Sequence, residues 1–490
     1  MNATVKRREL SADFSISRVL IGLWQIADLE RNGRSLDLEA TADAMDPYVE
    51  AGFTTFDMAD HYGSAEVIAG LYRKRHASDV QLFTKWVPTS GPSSRVNVRA
   101  AVQRALDRMQ TDRLDLLQYH TWNYADPSWL DTLYWLQELR DEGLIRYLGL
   151  VNVDTAHLRI ALHSGFDVVS NQVCFSLLDQ RAKSGMTELC QDHGISLLAF
   201  GTVAGGFLTE RWLGKPEPNL DELSTWSEMK YKRFIDAAGG WQVFQDVLQT
   251  IYDVGRRHGV SMANVACRYI LEEPAVGGII IGARLGKSEH IQDNRRLFEF
   301  SLGRASRTEI AEALTKLKPI PGDCGDEYRR PPFLTAAGDL SHHIDAVPPA
   351  YQTKSLPDGR RIILAGTPHE EMAGCCRAVR CGDRIWVSGT TATQGSRVIG
   401  GGDPAAQLHF VIDKIEGTIE SLGGQLKDVI RIRVYVRNMS DWEAVVRVLG
   451  ERFKNIQPAN TLTQSSPVGD EFLVEMEAEA IILKTSDGNE

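Results

Sequence analysis

Residues 54–63, TTFDMADHYG, decide the reading of this chain. They form a short apolar run that stops at Asp57 and opens into a loop carrying Tyr62, as a strand does when it delivers a carboxylate to the rim of a sheet. Two similar runs follow. QLFTKW (81–86) leaves Lys85 near its end, and LDLLQYH (114–120) leaves His120 at its end. Asp57, Tyr62, Lys85 and His120 are therefore expected to converge at one rim.

Further outward, short apolar runs alternate with longer amphipathic segments from about Arg18 to Phe298. The remaining strand candidates are RVLIGLW, RYLGLVN, VVSNQVCF, ISLLAFG and GIIIGAR. Helical segments lie between them, such as SSRVNVRAAVQRALDRM, WLDTLYWLQELRDEG and RAKSGMTELCQDHG, several of them ending at a glycine. Eight strand–helix alternations predict an α/β fold, a closed (β/α)₈ TIM barrel over residues 1–318. A doubly wound dinucleotide fold would carry GxGxxG after its first strand, and the chain has no such motif. The long connection 206–234, with two tryptophans, reads equally as a lid or as a solvated insertion.

After the helix SRTEIAEALTKL the texture changes. Residues 319–356 are rich in Pro, Gly and Asp, lack periodicity, and read as a linker in which His342 and His343 are solvated loop residues. A second, smaller α+β domain is expected over 357–490. Its strands are RIWVSGTTA, DVIRIRVYVRNM and FLVEMEAEAIIL, and its helices follow Asp403 and Asp441. GGGDP before the first of those helices is a turn with Asp403 as N-cap and Pro404 at the first helical position.

With 490 residues the chain is long enough for several cores, and 43% hydrophobic with 24% charged residues is ordinary globular composition. A net charge of −11 argues against a nucleic-acid footprint. No apolar run approaches the length that spans a bilayer, and the basic MNATVKRREL precedes no apolar segment, so a cytoplasmic protein without membrane attachment or signal peptide is expected. Seven scattered cysteines read as reduced thiols, and no metal site is expected.

A phenol is a poor acid at neutral pH. An ammonium about 4 Å away favours the phenolate by roughly 4 kcal/mol at an effective dielectric of about 20, on the order of three pKa units. Lys85 would supply that charge, Asp57 would hold Lys85, and His120 would donate to the same oxygen. Such a set suits reduction of a carbonyl, in which hydride reaches carbon as a proton reaches oxygen. It contains no evident nucleophile for acyl transfer.

The segment from about 10 to 318 resembles the aldo-keto reductase family: FDMADHYG its Asp-to-Tyr segment, FTKW its lysine strand and LQYHTW its histidine strand. The resemblance implies Tyr62 as general acid, supported by Asp57, Lys85 and His120, and NADP(H) bound across the barrel mouth. LGLVN implies Asn152 at the nicotinamide carboxamide, with Val151 in place of the usual serine. NQVCFSLL implies Gln172 at the carboxamide and Phe175 as the stacking aromatic. Gly22, Trp24 and Gly201 are implied near cofactor and substrate. GARLGKSEHIQDN has only three residues between Gly282 and Gly286, one short of a Walker loop. It implies a barrel phosphate site of Gly282, Arg284, Lys287 and His290, with Asn294 at the adenine. A small-molecule carbonyl is the implied substrate. A sugar or alcohol dehydrogenase working in the oxidative direction, or a non-catalytic NADPH-binding regulator, remains an alternative.

Residues 357–484 resemble the Rid/YjgF reactive-intermediate deaminase family through RAVRCGDRIWVSGTTA, DVIRIRVYVRNMSDWEAV and LVEMEAEAI. That implies a chorismate-mutase-like domain and homotrimeric assembly with clefts between subunits, in which imines or enamines are bound or hydrolysed; a module that only trimerises or binds a ligand is the alternative. The family's substrate arginine follows Pro-Ala, and QPANTL puts Asn460 there. Glu477 aligns with its acidic strand residue. A neutral amide lacks the bidentate charge contact of a guanidinium.

Overall fold

The computed structural model describes residues 4–76, 80–335, 347–366 and 368–483; His342 and His343 lie outside them. Eight parallel strands close into a barrel: Val19–Gly22, Thr55–Asp57, Gln81–Trp86, Leu114–Tyr119, Ile145–Val151, Val168–Cys174, Ser196–Phe200 and Val276–Gly282. The last pairs with the first, Gly282 opposite Gly22. Strands such as Gln81–Trp86 are buried at every position, as expected when a parallel sheet is covered on both faces. A hairpin, Arg7–Ser11 with Phe14–Ser17, packs Leu10, Phe14 and Ile16 against the inward-facing Leu20, Phe83, Leu116, Leu198 and Ile280. Arg7 reaches Thr54 and Gln81, at the starts of two strands, so the hairpin sits at the barrel's N-terminal end and leaves the opposite rim open.

The helices begin and end on local chemistry. Ser94 caps Arg95–Met109 by accepting from Asn97 N, and left-handed Gln110 ends it; Gly259 ends Trp241–His258 in the same way. The expected helix 181–194 is broken, because Gly185 takes φ 77. A 3₁₀ turn, Arg181–Lys183, precedes it and the helix Met186–Asp192 follows. The long 206–234 connection folds into short turns and the helix Trp226–Ala237, opened by a capping box of Thr225 and Glu228.

Residues 319–335, expected as linker, fold back onto the barrel. Ile320, Cys324 and Leu334 are buried in the main core. Arg181 donates to Glu327 at 2.8 Å and to Asp179. A few buried anchors and one short helix, Asp326–Arg329, do this without the periodicity that marks an element in sequence.

The second domain is a seven-stranded sheet in the order Thr353–Ser355, Arg361–Ile363, Ala378–Cys381, Arg384–Thr391, Val474–Ile481, Val429–Val436, Ala459–Gln464. Helices Pro404–Ser421 and Trp442–Phe453 cover one face. Pro404–Ser421 is buried nearly all round, because its other side packs on the barrel helix Thr155–His163. A Cβ at Gly417 would stand 2.1 Å from Ala125 O. Across this contact Arg159 pairs with Asp403 at 2.8 Å, Gly400 N donates to Ser164 Oγ at 2.9 Å and Gln394 to Asp131 at 2.7 Å. Among the described residues no helix is long and apolar enough to cross a membrane.

Candidate functional site

The open rim of the barrel holds a cavity of about 740 Å³. Asp57, at the last position of its strand, is buried. Lys85 Nζ donates to Asp57 Oδ2 at 2.5 Å and to Met58 O at 2.8 Å. The other carboxylate oxygen accepts from Gln172 Nε2 at 2.8 Å and Gln118 Nε2 at 3.1 Å, and Gln172 also donates to Gln118 Oε1. A buried ion pair is tolerable only when its remaining lone pairs are satisfied, and the two glutamines do that. Burial pulls the Lys85 ammonium below its ordinary value of 10.5, with Asp57 pulling the other way.

The Lys85 Nζ stands 4.9 Å from the centroid of the Tyr62 ring. Trp24 and His61 each meet that ring edge-on at 4.9 Å. His120 follows its strand directly, and burial first, then the Arg329 guanidinium, push its imidazole well below 6.5. The ring is therefore neutral at pH 7. The Val151 carbonyl lies near enough to oppose this shift without reaching hydrogen-bond geometry, and among the described residues neither ring nitrogen has a hydrogen-bond partner. Trp122 lies 4.3 Å from it, edge-on, fixed by its own bond to Pro88 O at 2.7 Å.

Asp57, Tyr62, Lys85 and His120 all line the cavity, together with Gly22, Trp24, Asn152, Gln172, Gly201, Gly282, Arg284, His290 and Asn294. Two expected residues do not. Phe175 is fully buried in the core, its N–H bonded to Phe200 O at 3.1 Å. The neighbouring strand's Phe200 faces the cavity instead. Lys287 is exposed in the loop after Arg284, outside the lining. Two of the glycines answer to the protein itself. A Cβ at Gly22 would meet Ile280 Cγ2 at 2.8 Å, and one at Gly201, already at φ +78, would meet the Tyr231 hydroxyl at 2.4 Å. Gly282 has only Gln25 near its missing side chain, at 3.7 Å, so its backbone lies bare to the cavity.

Sequence reasoning missed several lining residues. Phe200 carried the same signal as Lys85, a residue at a strand's end. Gln25 comes from the helix Trp24–Leu29, and Trp226, Lys230 and Tyr231 come from the long connection, which therefore forms part of the cavity wall. Tyr328 comes from the presumed linker. It meets His120 edge-on at 5.7 Å and accepts from Lys230 Nζ at 2.6 Å.

A nicotinamide nucleotide fits this donor set. Among the described residues Asn152 Oδ1 is buried without a hydrogen-bond partner, while Asn152 N–H donates to Gln172 O at 2.8 Å, and an orphaned buried acceptor calls for a donor from a ligand. Asn152 takes φ 57, which turns the chain at the cavity wall. From there the lining runs to Arg284 and Asn294.

In the second domain Glu477 accepts from Arg433 at 2.9 Å and from the Tyr435 hydroxyl. Asn460 pairs with Ile432 in the parallel ladder, whereas Glu477 pairs with the next residue, Arg433. Successive side chains alternate across a sheet, so Asn460 and Glu477 project from opposite faces. Within one chain they therefore face no common cleft; the cleft that the resemblance implies lies between subunits.

The aldo/keto reductase family model matches residues 18–315, and the model described as endoribonuclease L-PSP matches residues 370–482. The chain is 29% identical over 306 residues to the uncharacterized oxidoreductase YqkF of Bacillus subtilis, spanning 59% of this chain and 89% of that protein. It is 30% identical over 290 residues to protein tas of Escherichia coli, spanning 50% and 81%. The solved glycerol dehydrogenase of Gluconobacter oxydans superposes with TM-score 0.53 at 20% identity, over 65% of this chain and 97% of that one; that likeness is one of fold.

Proposed function

The chain belongs to the aldo/keto reductase family, and from that premise we propose that it reduces an aldehyde or ketone to the alcohol with NADP(H). The observation that carries this reading is the buried Asp57–Lys85 pair set against the Tyr62 ring at the mouth of the cavity. The bound nucleotide supplies hydride to the carbonyl carbon; Asn152 and Gln172 would hold its carboxamide, Phe200 its ring, and Arg284, His290 and Asn294 its adenosine end. Tyr62 delivers a proton to the carbonyl oxygen as charge builds there. Lys85 stabilises the phenolate left behind, and Asp57 with the two glutamines keeps Lys85 in place. His120, neutral and with both ring nitrogens unbonded among the described residues, donates a hydrogen bond to that oxygen and orients it. Trp24 and Trp122 wall the space in which the substrate is dry.

Loss of NADPH absorbance over a panel of aldehydes and ketones, with the reverse reaction on alcohols and sugars, tests the reading. Binding of nucleotide without turnover in either direction would favour the regulator. Arg284 is the proposed reader of the 2′-phosphate. Arg284→Ala is expected to weaken NADPH about tenfold, the worth of ~1.4 kcal/mol, and to leave NADH affinity unchanged; equal losses for both would remove that role.

For the second domain the proposed role is assembly into a homotrimer. One face of its sheet is uncovered in the monomer, with Trp386 at 37% and Ile430 at 47% exposure, and the barrel occupies the opposite, helical side. Sedimentation at micromolar concentration is expected to give three times the 54.5 kDa chain mass. A monomer there would end the assembly reading.

A further inference from the structure

We propose that Arg329 is a positioning residue for the reductase site, and that the second domain holds it through Tyr124 and His157. The inference rests on the reading above only in naming His120 and Asn152 as site residues. Arg329 ends the short helix Asp326–Arg329, in the segment that runs from the barrel toward the second domain. Its Nε and Nη2 donate to Thr121 O at 3.0 and 2.6 Å, and its Nη1 donates to Asn152 O at 2.6 Å. Thr121 directly follows His120, and Asn152 directly follows the strand Ile145–Val151. One planar fork thus ties together the backbones of two adjacent strand ends, each carrying a cavity residue. A guanidinium suits this because its donors are fixed in one plane, whereas an ammonium is a point charge.

The clamp is tightly packed. A Cβ at Gly325 would stand 2.0 Å from Asn152 O and 2.5 Å from Arg329 Nη1, so only glycine lets the helix come this close. On its other side the guanidinium carbon lies 4.5 Å from the Tyr124 ring centroid. Tyr124 stacks on His157 at 3.4 Å with an interplanar angle of 7°. His157 bridges the two domains: Nδ1 meets Asp154 Oδ1 at 2.6 Å in the barrel, and Nε2 meets Asp413 Oδ2 at 2.9 Å on the second domain's helix. Asp413 is held in turn by Arg452 Nη1 at 2.7 Å. The contacts form one continuous chain from Arg452 to the backbone of Asn152. A second domain seated on the barrel fixes His157 and Tyr124, Tyr124 limits the guanidinium, and the guanidinium sets the spacing of the two rim turns.

The full-length chain with Arg329→Met, Arg329→Lys, His157→Gln and Asp413→Asn tests this. Backbone hydrogen exchange over residues 120–126 and 151–155 reads the turns without any ligand. NADPH affinity by tryptophan fluorescence and the split of kcat from KM read their consequence. Arg329→Met is expected to raise exchange in both segments, weaken NADPH about tenfold and lower kcat more than it raises KM. Arg329→Lys, keeping charge but not the fork, is expected to recover less than half of the loss. Asp413→Asn and His157→Gln are expected to move the same segments about threefold, and adding either to Arg329→Met to change nothing more. Unchanged exchange at 120–126 and 151–155 in Arg329→Met would overturn the clamp. A wild-type response there in both Asp413→Asn and His157→Gln, with melting still cooperative, would overturn the second domain's part. Wild-type protein that binds no nucleotide would instead count against the reductase reading, while exchange still decides the clamp.

Discussion

Tyr62→Phe is expected to lower carbonyl turnover by about 10²–10⁴-fold, the usual worth of a positioned proton donor, with NADPH affinity within twofold of wild type. The substitution removes one oxygen and keeps the ring. The edge contacts with Trp24 and His61 and the Lys85 ammonium near the ring centroid all involve that ring, so the loop keeps its packing. What disappears is the phenol that, among the described residues lining the cavity, is set against the buried Lys85–Asp57 pair. His120 does not replace it, since burial and Arg329 keep its imidazole neutral, and a neutral imidazole orients an oxygen better than it protonates one. Stopped-flow single turnovers separate the chemical step from product release. Retention of more than a tenth of wild-type single-turnover rate would remove Tyr62 from the proton path.

The rim was readable in sequence where a cavity-lining residue stands at a strand's end. Asp57, Lys85 and His120 each close an apolar run, and a barrel delivers successive strand ends to one face. Phe175 was placed at the cofactor by the resemblance and not by that rule. It follows its strand just as His120 does, yet its backbone bonds to Phe200 O and its ring enters the core, leaving the cavity to Phe200. Which of two neighbouring aromatics faces inward depends on strand register, which periodicity does not contain. Tyr328 and Arg329 were illegible for another reason. Their segment is tied down by single contacts, Glu327 to Arg181 and Arg329 to two carbonyls, and isolated anchors leave no period to detect. The edge strand Ala459–Gln464 likewise went unread, since it is mostly exposed. With it went the parity that separates Asn460 from Glu477.

Replacing His157 is expected to cost about 3–5 kcal/mol when the substitution is Ala, the usual penalty for stranding one side of a buried ion pair. It would leave Asp154 without its buried cation and Asp413 with Arg452 alone, both carboxylates being buried. Burial alone pulls the imidazole down, but the two carboxylates together outweigh it and lift His157 to about 9. A group raised in the fold contributes fully below its ordinary value, here 6.5, and loses that contribution as pH rises through the folded value. The partner carboxylates act in the opposite sense: both are held below their ordinary 3.8, so their share is lost only in acid. Interdomain stability from this group should therefore hold between about pH 4 and 6.5 and fall by roughly 3 kcal/mol toward pH 9. Two other groups on the helix Pro404–Ser421 that carries Asp413, the buried Lys414 and the exposed Glu420, are shifted into the same span. Partial desolvation and Glu416 push Glu420 up to about 7, and burial and Arg377 bring Lys414 down to about 7. Burial and Arg452 hold His409 down to about 3, which keeps it neutral throughout. The clean quantity is thus the difference between wild type and His157→Gln in urea unfolding at pH 6 and pH 9.5, which cancels the bystanders. That difference is expected to shrink by at least half at the higher pH. An equal difference at both would mean that His157 joins the domains by shape and hydrogen bonding rather than by its charge.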